Sequence, residues 1–218
     1  MKRSPSVARR AREREHLRAR ILDAARELFA AEGYDAVTIR RVAERIEYTP
    51  PVIYQHFADK AALIREICYS DWREFGGHFR ALLTVEDPIE RLTRMGELYV
   101  EFALTHPNHY RLMFMTPPPT DTPIDKEAID PEARGNPELD AYAMLRANVD
   151  AAFRAGRFNP DLRDPAMIAH VLWQSMHGIV SMHIARGHDS WIEYRDPRET
   201  AALASRALMR GLTCDIGK

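Results

Sequence analysis

"TIRRVAERIEYTPPVIYQHFADKAALI", residues 38–64, is the stretch on which the reading of the whole chain turns. Thr38 precedes a short amphipathic run in which Ile39, Val42, Ala43 and Ile46 share one face, so the spacing predicts a helix over about 38–46. Thr49 then stands before two prolines. A Thr at the cap can accept a hydrogen bond from a first-turn N–H, and Pro50 presets φ where an N–H would be an orphan. A second helix of barely two turns is therefore expected to start abruptly at Pro50. Small Ala43 lets the two helices cross closely, and Val42, Ile46, Tyr48 and Ile53 are the expected shared core. Two short helices at a tight turn, the second with a firmly set leading end, suit the DNA major groove. Exposed amides and the positive dipole end there would also suit phosphate. Tyr54, Gln55 and His56 follow the tip, and Lys60 heads the next helix. Tyr and Gln donate to phosphate oxygens, and Gln also pairs with adenine. The same pattern also fits a plain helical hairpin, with His56 as a helix cap.

Working outward, the punctuation is helical throughout. A first helix is expected over about 10–32, with Leu17, Ile21, Ala24, Ala25, Leu28 and Phe29 in one stripe and Gly33 ending it. Asp59 caps a fourth helix to about residue 83. Asp-Pro at 87–88, 164–165 and 196–197 signals three further starts, for helices over about 88–105, 165–186 and 197–213. A short helix after His106-Pro107 and one over about 136–155 bring the expected number to about nine. No turn-bounded alternating run of β-branched residues suggests a strand. Residues 116–133, Pro- and acid-rich, read as a loop. The fold class is all-α.

The chain has 218 residues, 45% apolar and 29% charged. No run approaches the ~20 apolar residues of a membrane span, and no apolar stretch follows the basic N-terminus, so a cytoplasmic protein with no membrane partner is expected. Two cysteines make no disulfide framework. The net charge of −1 conceals an asymmetry: residues 1–66 hold 14 Lys/Arg against 10 Asp/Glu, and residues 1–20 hold 8 against 2. A basic front suits a polyanion. It equally suits a tail that aids solubility.

The segment 38–64 resembles the DNA-binding part of the TetR (AcrR-type) family of bacterial transcriptional regulators. The resemblance covers about 15–65 and rests on Phe29, Gly33 and Thr38, then the two short helices, then Tyr54, Phe57, Lys60 and Leu63. It implies a three-helix DNA-binding domain (15–62) and a helical ligand-binding and dimerisation domain (63–218), and the basic residues 1–14 before them read as a flexible arm. The resemblance also implies a repressor acting on double-stranded operator DNA as a homodimer, released by a small, largely apolar effector. Thr38, Tyr54, His56 and Lys60 fall at phosphate-contacting positions. Thr49, Pro50, Pro51 and Val52 fall where bases or adjacent backbone are met. Base reading is assigned to Thr49, Val52 and Gln55, with Thr38 and Arg40 of the preceding helix. The arm, with Arg9, Arg10, Arg12 and Arg14, lies before the matched region and reads as a flexible extension that grips the adjacent minor groove or phosphates, its rival being a disordered tail with only weak nonspecific attraction. One departure stands out: Glu47 occupies the turn where the family usually has Gly, at a cost on the order of 1 kcal/mol if the turn is left-handed.

In the second half, "LWQSMHGIV" (172–180) is similar to the Trp-x-x-x-His-Gly signature of one TetR C-terminal subgroup, as is "HPNHYRLMF" (106–114) to its His-Pro element. Gly178 in mid-helix costs about 1 kcal/mol relative to Ala, which a close backbone neighbour would offset. The helix over 165–186 is apolar around much of its circumference. With the last helix it suits a dimer interface through Val171, Ile179, Leu203, Ala207 and Leu208. Met95, Tyr99, Phe102, Met113, Phe114, Met144, Trp173 and His177 are candidates to line an effector pocket, and all are also ordinary core types. His106/His109 and His170/His177/His183 lack metal-site spacing, and no phosphate loop, nucleophile elbow or paired acids appear. No metal, cofactor or catalytic residue is expected. The rival functions are a DNA-binding dimer controlled without a small ligand, and an all-helical enzyme or carrier that imitates the motif.

Overall fold

The computed structural model describes residues 5–117 and 132–214. Nine α-helices lie among them: α1 (Pro5–Glu32), α2 (Ile39–Arg45), α3 (Pro50–Tyr54), α4 (Lys60–His78), α5 (Pro88–Thr105), α6 (Pro107–Tyr110), α7 (Ala141–Arg154), α8 (Pro165–Arg186) and α9 (Pro197–Leu212). A 3₁₀ turn (Arg80–Thr84) follows α4, and a π-type turn (Arg111–Met115) follows α6. No β-strand forms among the described residues; Phe158 and Thr213 make an isolated antiparallel bridge.

All three Asp-Pro starts act as expected. Asp87 accepts from Ile89 N–H at 2.9 Å, Asp164 from Ala166 at 2.8 Å, and Asp196 from Arg198 and Glu199 at 2.8 and 3.1 Å. Asp59 likewise accepts from Ala62 N–H at 2.6 Å at the head of α4. Three boundaries differ from expectation. Helix α1 begins at Pro5, so residues 5–14, expected as a flexible extension, are its first turns. The Arg-, Ala- and Glu-rich composition there favours helix, and Arg9 pairs with Glu13 one turn on at 3.5 Å. Helix α4 stops at His78, just after Gly76-Gly77, rather than near 83. Helix α7 starts at Ala141, not 136, because Asp140 caps it and Gly135 (φ +71°) and Pro137 hold the preceding residues in turns. The expected loop at 116–133 lies, apart from its ends, outside the described residues.

The chain forms two compact units. The first takes the described residues to Asp71 together with 108–117. Its core is built from Ile21, Ala25, Phe29, Val42, Ile53 and Ile67, all buried. It also encloses an ion pair. Asp71, 0% exposed, receives Arg26 Nε at 3.0 Å and Arg26 Nη2 at 2.8 Å. His109 Nδ1 lies 3.3 Å from the same carboxylate, and Asp23 takes Arg26 Nη1 at 2.7 Å. Burial alone would lower the Arg26 pKa; the charges and hydrogen bonds of Asp71 and Asp23 outweigh it and hold the pKa above its usual value.

The second unit takes 72–107 with the described residues from 132 onward. Helices α5, α7, α8 and α9 pack into a bundle, with α5 against the other three. Phe75 anchors an aromatic cluster, 4.9 Å from Phe102, 5.0 Å from Phe79 and 5.7 Å from Tyr99 between ring centroids. Gly76 is required here, because a Cβ would overlap the Leu139 carbonyl oxygen.

Candidate nucleic-acid interface

Thr38 adopts extended backbone (φ −117°) and its hydroxyl accepts from Arg41 N–H at 3.2 Å, so α2 starts where the sequence predicts. Ile39, Val42 and Ala43 are buried, which turns Arg40, Arg41, Glu44 and Arg45 outward. The chain leaves α2 through Ile46 and then Glu47, whose φ of +63° is left-handed. Tyr48 N–H bonds back to the Ala43 carbonyl at 2.9 Å and closes the turn. Glu47 thus adopts the conformation that the usual Gly would. Tyr48 differs from expectation: it is 40% exposed, with the Arg20 guanidinium 5.6 Å from its ring centroid, because the reversal at Glu47 carries it off the core side.

Thr49 is the N-cap residue of α3, in extended backbone (φ −100°). Its side chain makes no capping hydrogen bond, contrary to the sequence expectation. The reason is local. Pro50 and Pro51 have no N–H, and the N–H of Val52 goes to the Thr49 carbonyl at 3.0 Å. The same facts remove the backbone amides expected to meet phosphate at this helix end. The Thr49 hydroxyl is left without a capping role at this helix end. Ile53 is fully buried and holds the stub, while Thr49, Pro51, Tyr54 and Gln55 are exposed, Tyr54 by 54%. Pro50, Val52 and His56 are half-buried.

Two cations frame the tip. Lys60 Nζ sits 4.0 Å from the Tyr34 ring centroid, a cation–π contact that holds it at the head of α4. Arg18 lies 4.7 Å over the Phe57 ring and pairs with Glu66 at 3.0 Å. The His56 pKa is pushed below its ordinary 6.5 first by burial and then by the nearby Arg14 and Arg18 charges, with Glu15 opposing. Arg40 is exposed and pairs with Glu44 at 2.8 Å, a surface pair weak enough to exchange for another anion. Sequence reasoning missed the roles of Arg14 and Arg18 beside His56. It also missed the Arg26–Asp71 pair, although Asp71 falls on the apolar stripe Ile64, Ile67, Phe75, where an acid demands a partner.

Of the pocket candidates, the second unit brings Tyr99, Trp173 and His177 together. Trp173 Nε1–H donates to Tyr99 Oη at 3.3 Å, and Tyr99 Oη and His177 Nδ1 are hydrogen-bonded at 3.0 Å. Burial lowers the His177 pKa. Met95, Phe102 and Met144 are buried in the same unit, Met95 Sδ receiving Asn148 Nδ2–H at 3.0 Å. Met113 and Phe114 belong to the first unit. On α8 and α9 an apolar face is uncovered: Met167 is 60% exposed, Leu203 63%, and Ala207 and Gly178 are exposed, with Val171, Ile179 and Leu208 half-buried. Gly178 differs from expectation, since a Cβ there would meet nothing within 4 Å among the described residues. No group of three or more His, Cys, Asp or Glu among the described residues could hold a metal, and no described helix is long and apolar enough to cross a membrane.

Comparison with known proteins agrees with this anatomy. The family model described as bacterial regulatory proteins, tetR family, matches residues 21–67. The model described as tetracyclin repressor-like, C-terminal domain, matches residues 92–208, without specifying the Trp-x-x-x-His-Gly subgroup. The chain is 32% identical over 102 residues to the HTH-type transcriptional activator FasR of Mycolicibacterium smegmatis, covering 46% of this chain and 47% of that one. It is 36% identical over 73 residues to the HTH-type transcriptional regulator UidR of Escherichia coli strain K12, 34% of each. The chain thus spans about half or less of the curated relatives it matches. The structure of the fatty acid degradation regulator FadR from Bacillus halodurans superposes with a TM-score of 0.70 at 15% identity, covering 97% of this chain and 98% of that one. At that identity the likeness is one of fold.

Proposed function

Because this chain belongs to the TetR family of bacterial regulatory proteins, we propose that it is a DNA-binding transcriptional repressor that grips operator DNA as a homodimer and lets go on binding a small, largely apolar effector. The observation that carries the reading is the tip of α3. A stub rooted by buried Ile53 presents Thr49, Pro51, Tyr54 and Gln55 to solvent, beside Lys60. Thr49, Val52 and Gln55, with Thr38 and Arg40 of α2, read bases; Pro50 and Pro51 supply apolar contact; Tyr54, His56 and Lys60 hold phosphates. The uncovered apolar face of α8 and α9, with Val171, Ile179, Leu203, Ala207 and Leu208, supports pairing of two copies. The Tyr99–Trp173–His177 trio among aromatic residues supports an effector that is apolar with one polar end. Release is a population shift, so effector and operator weaken each other reciprocally.

The test begins with duplexes selected from a random-sequence pool by the full-length protein. Anisotropy titration of the selected duplex then screens a library of fatty acids, sterols and aromatic drugs. Selection of one motif, and a compound that weakens its binding and is itself bound less tightly in the presence of DNA, support the reading. A pool that never converges refutes it.

A further inference from the structure

Helix α1 runs well beyond the residues it buries in the first unit, and its overhang carries Arg9, Arg10, Arg12 and Arg14, all exposed. Residues 17–29 of α1 bury Ile21, Ala25 and Phe29. Counting back along that face at helical spacing gives Arg18, then Arg14, then Arg10, each one turn further out. Arg18 is spent: it stacks on Phe57 at 4.7 Å and pairs with Glu66 at 3.0 Å, which fixes α1 beside the end of α3. Arg14 and Arg10 are exposed and form no ion pair among the described residues. They stand about 6 and about 12 Å beyond Arg18 along the axis. Arg9 lies about a third of a turn off that face and is paired with Glu13 at 3.5 Å, and Arg12, also exposed, points to the opposite side. The core stripe of α1 therefore turns into a cationic stripe where the protein beneath it ends.

We infer that the helical overhang of α1 is a rigid second contact to the DNA backbone, in which Arg10 and Arg14 hold phosphates flanking those met by α3. The inference rests on the DNA-binding reading above. Charge selects the occupant: two guanidiniums without an ion pair among the described residues, one turn apart on one face, match a regularly spaced polyanion. Arg14 lies close enough to act on His56, which ties the overhang to the end of α3. Helical rigidity also decides the mode of contact. A continuous α-helix of side-chain diameter about 10–12 Å does not enter a minor groove about 6 Å wide, so the overhang rides on phosphates and does not thread the groove as an extended arm would.

The experiment measures the affinity of the full-length protein for a fluorescent duplex of fixed sequence across a salt series. It compares wild type with Arg10→Ala/Arg14→Ala, Arg9→Ala, Ala11→Pro and Lys60→Ala, each checked for retained helicity and melting temperature. Each phosphate contact adds about 0.9 to the slope of log affinity against log salt. The double variant is expected to lower the slope by about two per bound DNA-binding unit, and Arg9→Ala by much less than one. Ala11→Pro keeps every charge and breaks the helix between Arg10 and Arg14, and it should lower the slope by about one. An unchanged slope in the double variant while Lys60→Ala still lowers it overturns the inference and leaves the DNA-binding reading standing. Arg9→Ala equal to the double variant, or Ala11→Pro without effect, overturns it as well. A wild-type protein with no affinity for any duplex sinks the DNA-binding reading itself.

Discussion

Replacing Asp71 by Asn keeps the shape of the residue and removes its charge. In the native protein Asp71 is fully buried and the Arg26 side chain is 7% exposed, so the variant leaves a guanidinium inside with its main counter-ion gone. Breaking a buried pair in this way costs about 3–5 kcal/mol. Asp23 still reaches Arg26 Nη1 at 2.7 Å but is itself 69% exposed, so it returns little in a screened setting and moves the expected cost to the lower end, about 3 kcal/mol. At 1.4 kcal/mol per decade that is roughly a hundredfold in the folded-to-unfolded ratio. Urea unfolding at fixed protein concentration, followed by far-UV circular dichroism, reads the change as a shift of midpoint at constant slope. The Arg26→Met/Asp71→Leu double variant supplies the control. With both charges removed it should recover most of the loss, because apolar replacements of buried pairs are often neutral or better. A loss under 1 kcal/mol for Asp71→Asn, or a double variant as unstable as the single one, would refute the claim that these two charges need each other.

Glu47→Gly relieves a left-handed residue but adds unfolded-state freedom, so a net gain of roughly 0.5 kcal/mol is expected, read as a rise in melting temperature. Gly76→Ala should cost about 1–3 kcal/mol by driving a methyl into the Leu139 carbonyl, whereas Gly77→Ala, with open space around it, should be neutral or slightly stabilising in the same melt. His56 has a depressed pKa in the free protein, so its contribution to stability is present above the ordinary value and is lost as pH falls through the folded one. A neighbouring phosphate favours the cation. DNA affinity should therefore rise between pH 8 and pH 6, and His56→Gln should flatten that rise; an identical profile in the variant removes His56 from the phosphate contacts. Lys60→Ala should weaken binding evenly across sequences and lower the salt slope by about one, and a changed sequence preference would contradict its phosphate role.

Much of this architecture is readable in the chain because it is written in local chemistry. Each Asp-Pro starts a helix through its own carboxylate and the ring that follows, so no distant contact had to be known. Thr38 capped α2 for the same reason, and Gly33 ended α1 with φ +81°. What sequence pattern misjudged depends on competition or distance. Thr49 has the right residue type for a cap, yet the two prolines that mark the helix start also remove a donor its hydroxyl would need. Periodicity places the start of α1 late because its first turns bury nothing and so carry no apolar period, only helix-favouring composition. Asp71 finds Arg26 from 45 residues away, a pairing that periodicity within one helix does not contain. Gly178 suggests a close backbone neighbour on α8, yet a Cβ there would meet nothing within 4 Å among the described residues. The two short helices within 38–60 were the most legible part, since Thr38, the buried stripe Ile39, Val42 and Ala43, and Pro50 mark them locally. The pocket candidates were the least legible, being drawn from three helices and a turn that belong to two different units.

The most direct test is a hydroxyl-radical footprint of the full-length protein on a duplex enriched from random sequence. Two symmetric protected half-sites are expected, each centred on a major groove, separated by one helical turn of about 34–36 Å or more, with protection at the half-site centres lost in a Thr49→Ala/Gln55→Ala variant. A single asymmetric protected patch, or full protection by that variant, would contradict the proposed function.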